Sequence, residues 1–339
     1  MRLTVQRTQW VDKAKGLGIL LVVVGHSSQY LYSNKAANIL SAGIYSFHMP
    51  LFFVLAGLFA ESSLRKHGVR QFAIDKLQTI LYPYLIWSLF EGSYRYLLGR
   101  ITSFSDFVGL HRIAQIAYAP IYHYWFLYIL LACFCAFVLV NVAAPRLKPQ
   151  LLLFIAAATL FVASNLFPPG TTRQFSDSLI FFTAGVYLGR VHLWSSDNTV
   201  IKELAWIAGA FFILFNFGIL TKFSGEIARA TKSLTLAAIG ITLSCLAAGS
   251  IRSDSKVGIA LSYCGRNSMA IFLFHIPPMA ITKFLLDVNG VKDAIPHLSA
   301  EISVGITFPI LMIRYVLPGA PLLHRWPPSA IKRPKDQVA

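Results

Sequence analysis

The chain has 339 residues, of which 56% are hydrophobic and only 13% charged, and its mean hydropathy is +0.61. A soluble domain carries about 25% charged residues, so this composition excludes an ordinary soluble fold and points to a polytopic membrane protein. The net charge of +16 does not make it a nucleic-acid binder, because the basic residues flank apolar runs as topology signals do, rather than forming one stripe.

A helix needs roughly 20 apolar residues to cross a bilayer core. Ten runs are candidate spans, near residues 13–32, 39–60, 78–98, 119–142, 150–168, 177–191, 200–220, 231–250, 260–286 and 300–320, the sixth being short by its apolar run. The expected fold is all-α, with ten transmembrane helices in a single domain over residues 1–339. Lysine and arginine are denser in the N-terminal segment, at 61–77, 143–149, 190–202 and 251–256, and in the C-terminal tail, so both termini are expected on the cytoplasmic side. The N-terminal apolar run lacks a convincing small-residue cleavage site and is expected to be retained. The basic, proline-rich tail from about residue 324 reads as disordered or membrane-hugging. Cys133, Cys135, Cys245 and Cys264 have no metal-ligand spacing and read as small core residues.

The first run, WVDKAKGLGILLVVVGH, places Asp12, Lys13 and Lys15 ahead of His26. Lys15 and His26 are eleven residues apart, about three helical turns, so they share a face, with His26 roughly 16 Å deeper. The second run, SAGIYSFHMPLFFVLAG, returns through the membrane. His48 lies roughly 13 Å below its outer boundary, nearly level with His26 in a core about 30 Å thick. Pro50 follows and should kink the helix, while Ala56 and Gly57 permit close helix packing.

Later runs add weaker signals. The loop carrying Arg65, Lys66, His67, Arg70 and Lys76 is mainly topological but also suits phosphates. Glu91 and Arg95 are one turn apart and read as a mutual pair rather than a catalytic acid. Tyr122, His123, Tyr124 and Trp125 open the fourth span, as an interfacial belt or as a stacking platform for a sugar. In GRNSMAIFLFHIPPMA, His275 lies deep in an apolar run, Arg266 stands nine residues earlier, and Pro277 and Pro278 follow. Arg314 reads as buried in the tenth span with no sequence partner.

Ionisable groups at membrane depth are expensive, and three such histidines point to function more than to packing. Histidine can serve as a general base or as a nucleophile. There is no HExxH pattern and no carboxylate beside the histidines, so no metal is expected. A proton relay in a transporter is the competing use, although the halves show no internal repeat of the kind transporters carry.

WVDKAKGLGILLVVVGH followed by FHMPLFFVLAG resembles the start of the membrane acyltransferase-3 family, closest in style to the fucose 4-O-acetylase-like inner-membrane O-acetyltransferases. LQTILYPYLIW, YHYWFLYIL and GRNSMAIFLFH fit the same pattern in order, so the resemblance covers most of the chain. It implies about ten spans in a bacterial inner membrane. It also implies transfer of an acetyl or other acyl group from cytoplasmic acetyl-CoA to a hydroxyl of an extracytoplasmic glycan or lipid-linked sugar. The family pattern of a basic residue, ten residues and a histidine falls on Lys15 and His26, and its Met-Pro histidine on His48. The later histidine falls on His275. Ala56 stands where serine is frequent, and Thr79 where a second basic residue is frequent.

On this reading His26, His48 and His275 are catalytic. Lys13, Lys15, Arg65, Lys76 and Arg266 hold the donor, and Glu91, His123, Tyr124 and Trp125 hold the acceptor. The partners are acyl-CoA, the sugar acceptor and membrane lipids, with self-association left open.

Overall fold

The structure is a computed structural model that describes residues 2–27, 35–101, 109–164, 170–189, 226–291 and 293–325. The seventh expected span, 200–220, and the tail beyond residue 325 lie outside the described residues. Within them the chain is helical throughout, without strands. The helices are α1 (Arg2–Ser27), α2 (Lys35–Gly57), α3 (Ala60–Lys76), α4 (Tyr82–Ile101) and the short α5 (Leu110–Ala114). Then come α6 (Trp125–Ala143), α7 (Pro149–Ala163), α8 (Thr171–Leu188) and α9 (Glu226–Ser250). The last are α10 (Lys256–Arg266), α11 (Ser268–Phe274), α12 (Ile276–Val288) and α13 (Ala294–Leu311).

Among the described residues, three stretches are long and apolar enough to cross a membrane alone: Leu110–Ala143, Ser268–Val288 and Ala294–Val316. A fourth, Ser41–Gly57 with Ala60–Leu97, passes only as a pair bent by 57°. These apolar helices make the chain a membrane protein. α1 fails the same test because Asp12, Lys13 and Lys15 fall within its apolar stretch.

Two expectations need correction. The basic stretch 61–77 is helix, not loop, broken only at Gly68, whose φ of +72° is open to glycine without strain. It continues into α4 through a π turn at Leu77–Leu81, where Tyr82 N–H bonds to the Leu77 carbonyl. Pro83 has no N–H to offer the carbonyl of Thr79, and a π turn is one way a helix absorbs that loss. The ninth span begins at Ser268 rather than at 260. The Arg266–Asn267 break separates α10, which exposes Val257 and Ile259, from the apolar α11.

α1 is the hub, packing against α2, α9, α10, α11 and α13. Its closest partner is α10, where Gly16 lies on the Leu261 carbonyl and Gly265 on the Asp12 carbonyl. α2 and α8 approach as closely, with Gly57 on the Phe182 carbonyl and Gly185 on that of Val54. Backbone-to-backbone packing through small residues is how membrane helices gain contact when lipid competes for apolar side chains. A methyl at Gly185 has only backbone to meet and cannot be relieved by a rotamer change. Gly185→Ala is therefore expected to destabilise by about 1–3 kcal/mol, the usual cost of overpacking. Thermal unfolding followed with a thiol-reactive dye on the buried Cys133, Cys245 and Cys264 would check it; an unchanged midpoint would show that α2 and α8 separate freely.

Cysteines 133, 245 and 264 are core residues as expected, whereas Cys135 is exposed on the outer side of α6. Arg314 is not buried. The π turn Met312–Val316 turns it outward, with its guanidinium 5.6 Å from the Tyr315 ring centre.

Candidate active site

Three imidazoles from three parts of the chain meet in the middle of the bundle. The His26 ring, in the last turn of α1, is centred 5.2 Å from that of His275 and 6.0 Å from that of His123. His123 and His275 are 5.5 Å apart, which closes a triangle. His275 is fully buried at the joint between α11 and α12. Pro277 and Pro278 open α12, in the first turn where a missing N–H matters least. They therefore end one helix and start another instead of kinking a continuous one. The His275 ring folds back so that Nδ1–H donates to the carbonyls of Phe272 at 2.8 Å and Ile271 at 3.1 Å. A carbonyl can only accept, so Nδ1 carries the proton and the neutral ring presents Nε2 as a lone pair. Nε2 is buried and has no hydrogen-bond partner among the described residues.

His48 follows the same rule. Its Nδ1–H donates to the Ile44 carbonyl at 2.8 Å, and its ring stands edge-on to Tyr45 at 5.0 Å. It lies outside the triangle but lines the same cavity as His26 and His123, of about 280 Å³. Two of the four rings are thus fixed by backbone carbonyls to face their surroundings as proton acceptors.

His123, read from the sequence as part of an interfacial belt or a sugar platform, is the third member of the cluster. It sits in a 3-10 turn, Tyr122–Tyr124, entered through Tyr122 at φ +46°, and is buried rather than displayed at an interface. Its Nδ1 is 3.9 Å from the Glu91 carboxylate, and its Nε2 is buried without a hydrogen-bond partner among the described residues. The expected pair is present: the Arg95 guanidinium donates to Glu91 Oε1 at 3.0 Å, with both side chains buried. Arg95 also lies 4.1 Å from the centre of the Tyr122 ring. Glu91 thus joins an ion pair to the histidine cluster. Of the aromatic group, Trp125 and His123 line the cavity, while Tyr124 is fully buried beside Glu91.

A second cavity, of about 150 Å³, lies toward the other end of α1 and holds Lys15, with Ser268 and Met269 from the start of α11. The two cavities share Val22, Met49 and Phe272. Lys15 and His26 therefore occupy two chambers along one face of α1, divided by three apolar side chains.

The remaining basic residues separate by position. Arg266 stands 3.9 Å from Asp12, at the Lys15 end. Lys76 pairs with Asp75 at 2.9 Å and lies over Phe72 and Phe134, within electrostatic reach of Lys15. Lys13 points elsewhere. It is buried, donating to the Ile251 carbonyl and, at 3.3 Å, to the Ser253 hydroxyl, and it ties α1 to the turn before α10. Arg65 pairs with Glu61 at 2.5 Å on the exposed side of α3 and lines neither cavity. Among the described residues, no three His, Cys, Asp or Glu side chains are arranged to hold a metal ion.

Comparison with known proteins adds the family. A model described as "Acyltransferase domain" matches residues 8–316. The chain is 27% identical over 201 residues to Nodulation protein NolL of Mesorhizobium japonicum, covering 58% of this chain and 51% of that protein. It is 32% identical over 129 residues to Nodulation protein NolL of Sinorhizobium fredii, covering 36% and 34%. The matches thus span about half and about a third of those relatives' lengths. No solved structure matches the chain.

Proposed function

Because the chain belongs to the acyltransferase-3 family, whose model spans residues 8–316, we propose that it is an integral-membrane O-acyltransferase, specifically an O-acetyltransferase. The donor is acetyl-CoA and the acceptor a hydroxyl of an extracytoplasmic or lipid-linked glycan. The protein crosses a bacterial inner membrane ten times with both termini in the cytoplasm, which makes the Lys15 end the donor side. The observation that carries this reading is the pair of abutting cavities, a basic one and a histidine-lined one, on the same face of α1.

The chemistry follows from what the rings can do. His26 takes the proton of the acceptor hydroxyl as its oxygen bonds to the thioester carbon. The tetrahedral adduct collapses, the C–S bond breaks, and the leaving thiolate recovers the proton from the imidazolium. His48 and His275, held as lone-pair donors toward the site, orient the hydroxyl and the first ring rather than supply a proton. Phe272, Phe53 and Val22 give the cavity apolar walls, and a polar contact is stronger against such walls than in water.

Purified protein in nanodiscs, given acetyl-CoA labelled in the acetyl group and an envelope glycan extract, should release CoA and label the glycan. Solute or proton flux in liposomes without any donor, and no labelling, would replace this reading with proton-coupled transport.

Lys13 and Lys15 offer an internal control. They are two residues, about 200°, apart on α1 and so face opposite ways. Lys15→Ala should raise KM for acetyl-CoA about tenfold, consistent with one lost phosphate contact. Lys13→Ala should lower the unfolding midpoint and leave that KM alone. Equal effects on KM would place donor binding elsewhere.

A further inference from the structure

The His26 cavity has a polar wall that neither the ring cluster nor the donor end uses. It is built by α8. Gln174, Asp177 and Ser178 sit at i, i+3 and i+4, on one helical face, and all three line the cavity. Asp177 lies beside Ser164 and within electrostatic reach of Arg173. Arg173 does not line the cavity; among the described residues no lysine or arginine does. Trp125 and Tyr45 supply aromatic surface to the same space. A carboxylate and an amide turned into a cavity of a membrane protein are costly to keep unless something there uses them.

We propose that Asp177 and Gln174 form the acceptor subsite and that they select an uncharged sugar ring. The carboxylate and the amide oxygen accept from ring hydroxyls, and the aromatic surface covers the apolar face of the ring. A ring bearing its own carboxylate or phosphate meets the Asp177 carboxylate, and among the described residues no cation lines the cavity to pair with it. The proposal rests on the acyl-transfer reading for the reason a hydroxyl must reach His26, but its test does not require turnover.

Full-length protein in nanodiscs is titrated with two matched pairs of glycosides, followed by saturation-transfer NMR. The pairs are methyl glucoside with methyl glucuronide, and methyl galactoside with methyl galacturonide. The wild type is expected to bind at least one neutral member about tenfold more tightly than its uronate. Asp177→Asn should erase that discrimination, and Asp177→Ser should do the same if the amide misfolds. Gln174→Ala should weaken the neutral sugar without changing the ratio. Binding of no neutral glycoside, a wild-type preference for uronates, or full discrimination in both folded Asp177 variants overturns the proposal. Acetyl transfer by the wild type is the separating control. Neutral-sugar binding with the expected discrimination, but no label passed from acetyl-CoA to any glycan, would remove the acyl-transfer reading and leave the sugar subsite standing.

Discussion

His26→Ala protein, purified and folded, is expected to transfer acetyl groups about 10³-fold more slowly than the wild type, or about 4 kcal/mol in barrier height. The size of the effect follows from position. His26 closes on both His275 and His123 and lines the cavity with His48, and it stands on the same face of α1 as Lys15. Its loss removes the proton acceptor and leaves its neighbours pinned. Nδ1 of His275 and of His48 is already committed to a backbone carbonyl, so neither can turn to replace it without breaking a buried hydrogen bond. The measurement is acetyl transfer from labelled acetyl-CoA at saturating donor. KM for acetyl-CoA should hardly move, because Lys15 lies in the other chamber. A His26→Ala enzyme that keeps a tenth or more of the wild-type rate would end the assignment of the base.

Glu91→Ala is expected to be the most damaging change to stability that leaves the apolar core intact. Glu91 and Arg95 are both buried, and removing the carboxylate takes away the counter-charge that stands 3.0 Å from the guanidinium. Breaking a buried pair in this way typically costs about 3–5 kcal/mol, whereas replacing both partners by apolar residues of similar volume is often neutral. The expected pattern is therefore non-additive. Glu91→Ala should lose most of its folded yield, and the double replacement Glu91→Leu with Arg95→Met should recover it. A double-mutant cycle on unfolding midpoints checks this; additive losses would mean that the pair does not act as a unit. The recovered double variant also has a use, since it tests whether the carboxylate near His123 matters to catalysis in a folded protein.

How much of this could be read from the chain depended on contrast. His26, His48 and His275 stand out because each interrupts a long apolar run, and an ionisable group there has few innocent explanations. The Glu91–Arg95 pair was legible from helical spacing alone. His123 was legible as a candidate acceptor contact but not as a member of the histidine cluster, because aromatic residues at the mouth of a span also mark an ordinary interface, and only the turn through Tyr122 carries the ring inward. Lys13 was grouped with Lys15 for their shared charge, although their angular separation already set them on different faces. Asp177 and Gln174 gave no signal, since a polar start to a short apolar run resembles any helix entry. The segment 61–77 reads as loop because it is polar, yet Leu64 and Phe72 give the helix a buried apolar face that holds it against the core.

The shared boundary of Val22, Met49 and Phe272 has an electrical consequence. A cell membrane that carries a voltage cannot tolerate a wet tunnel, and the proposed reaction, fed from both faces, would invite one. The three apolar side chains common to both chambers would stand in its way, and the unbranched thioether of Met49 can bend aside for the proposed thioester arm. Shortening that residue should therefore be felt first by the proton gradient, as leak through a protein that still performs its reaction.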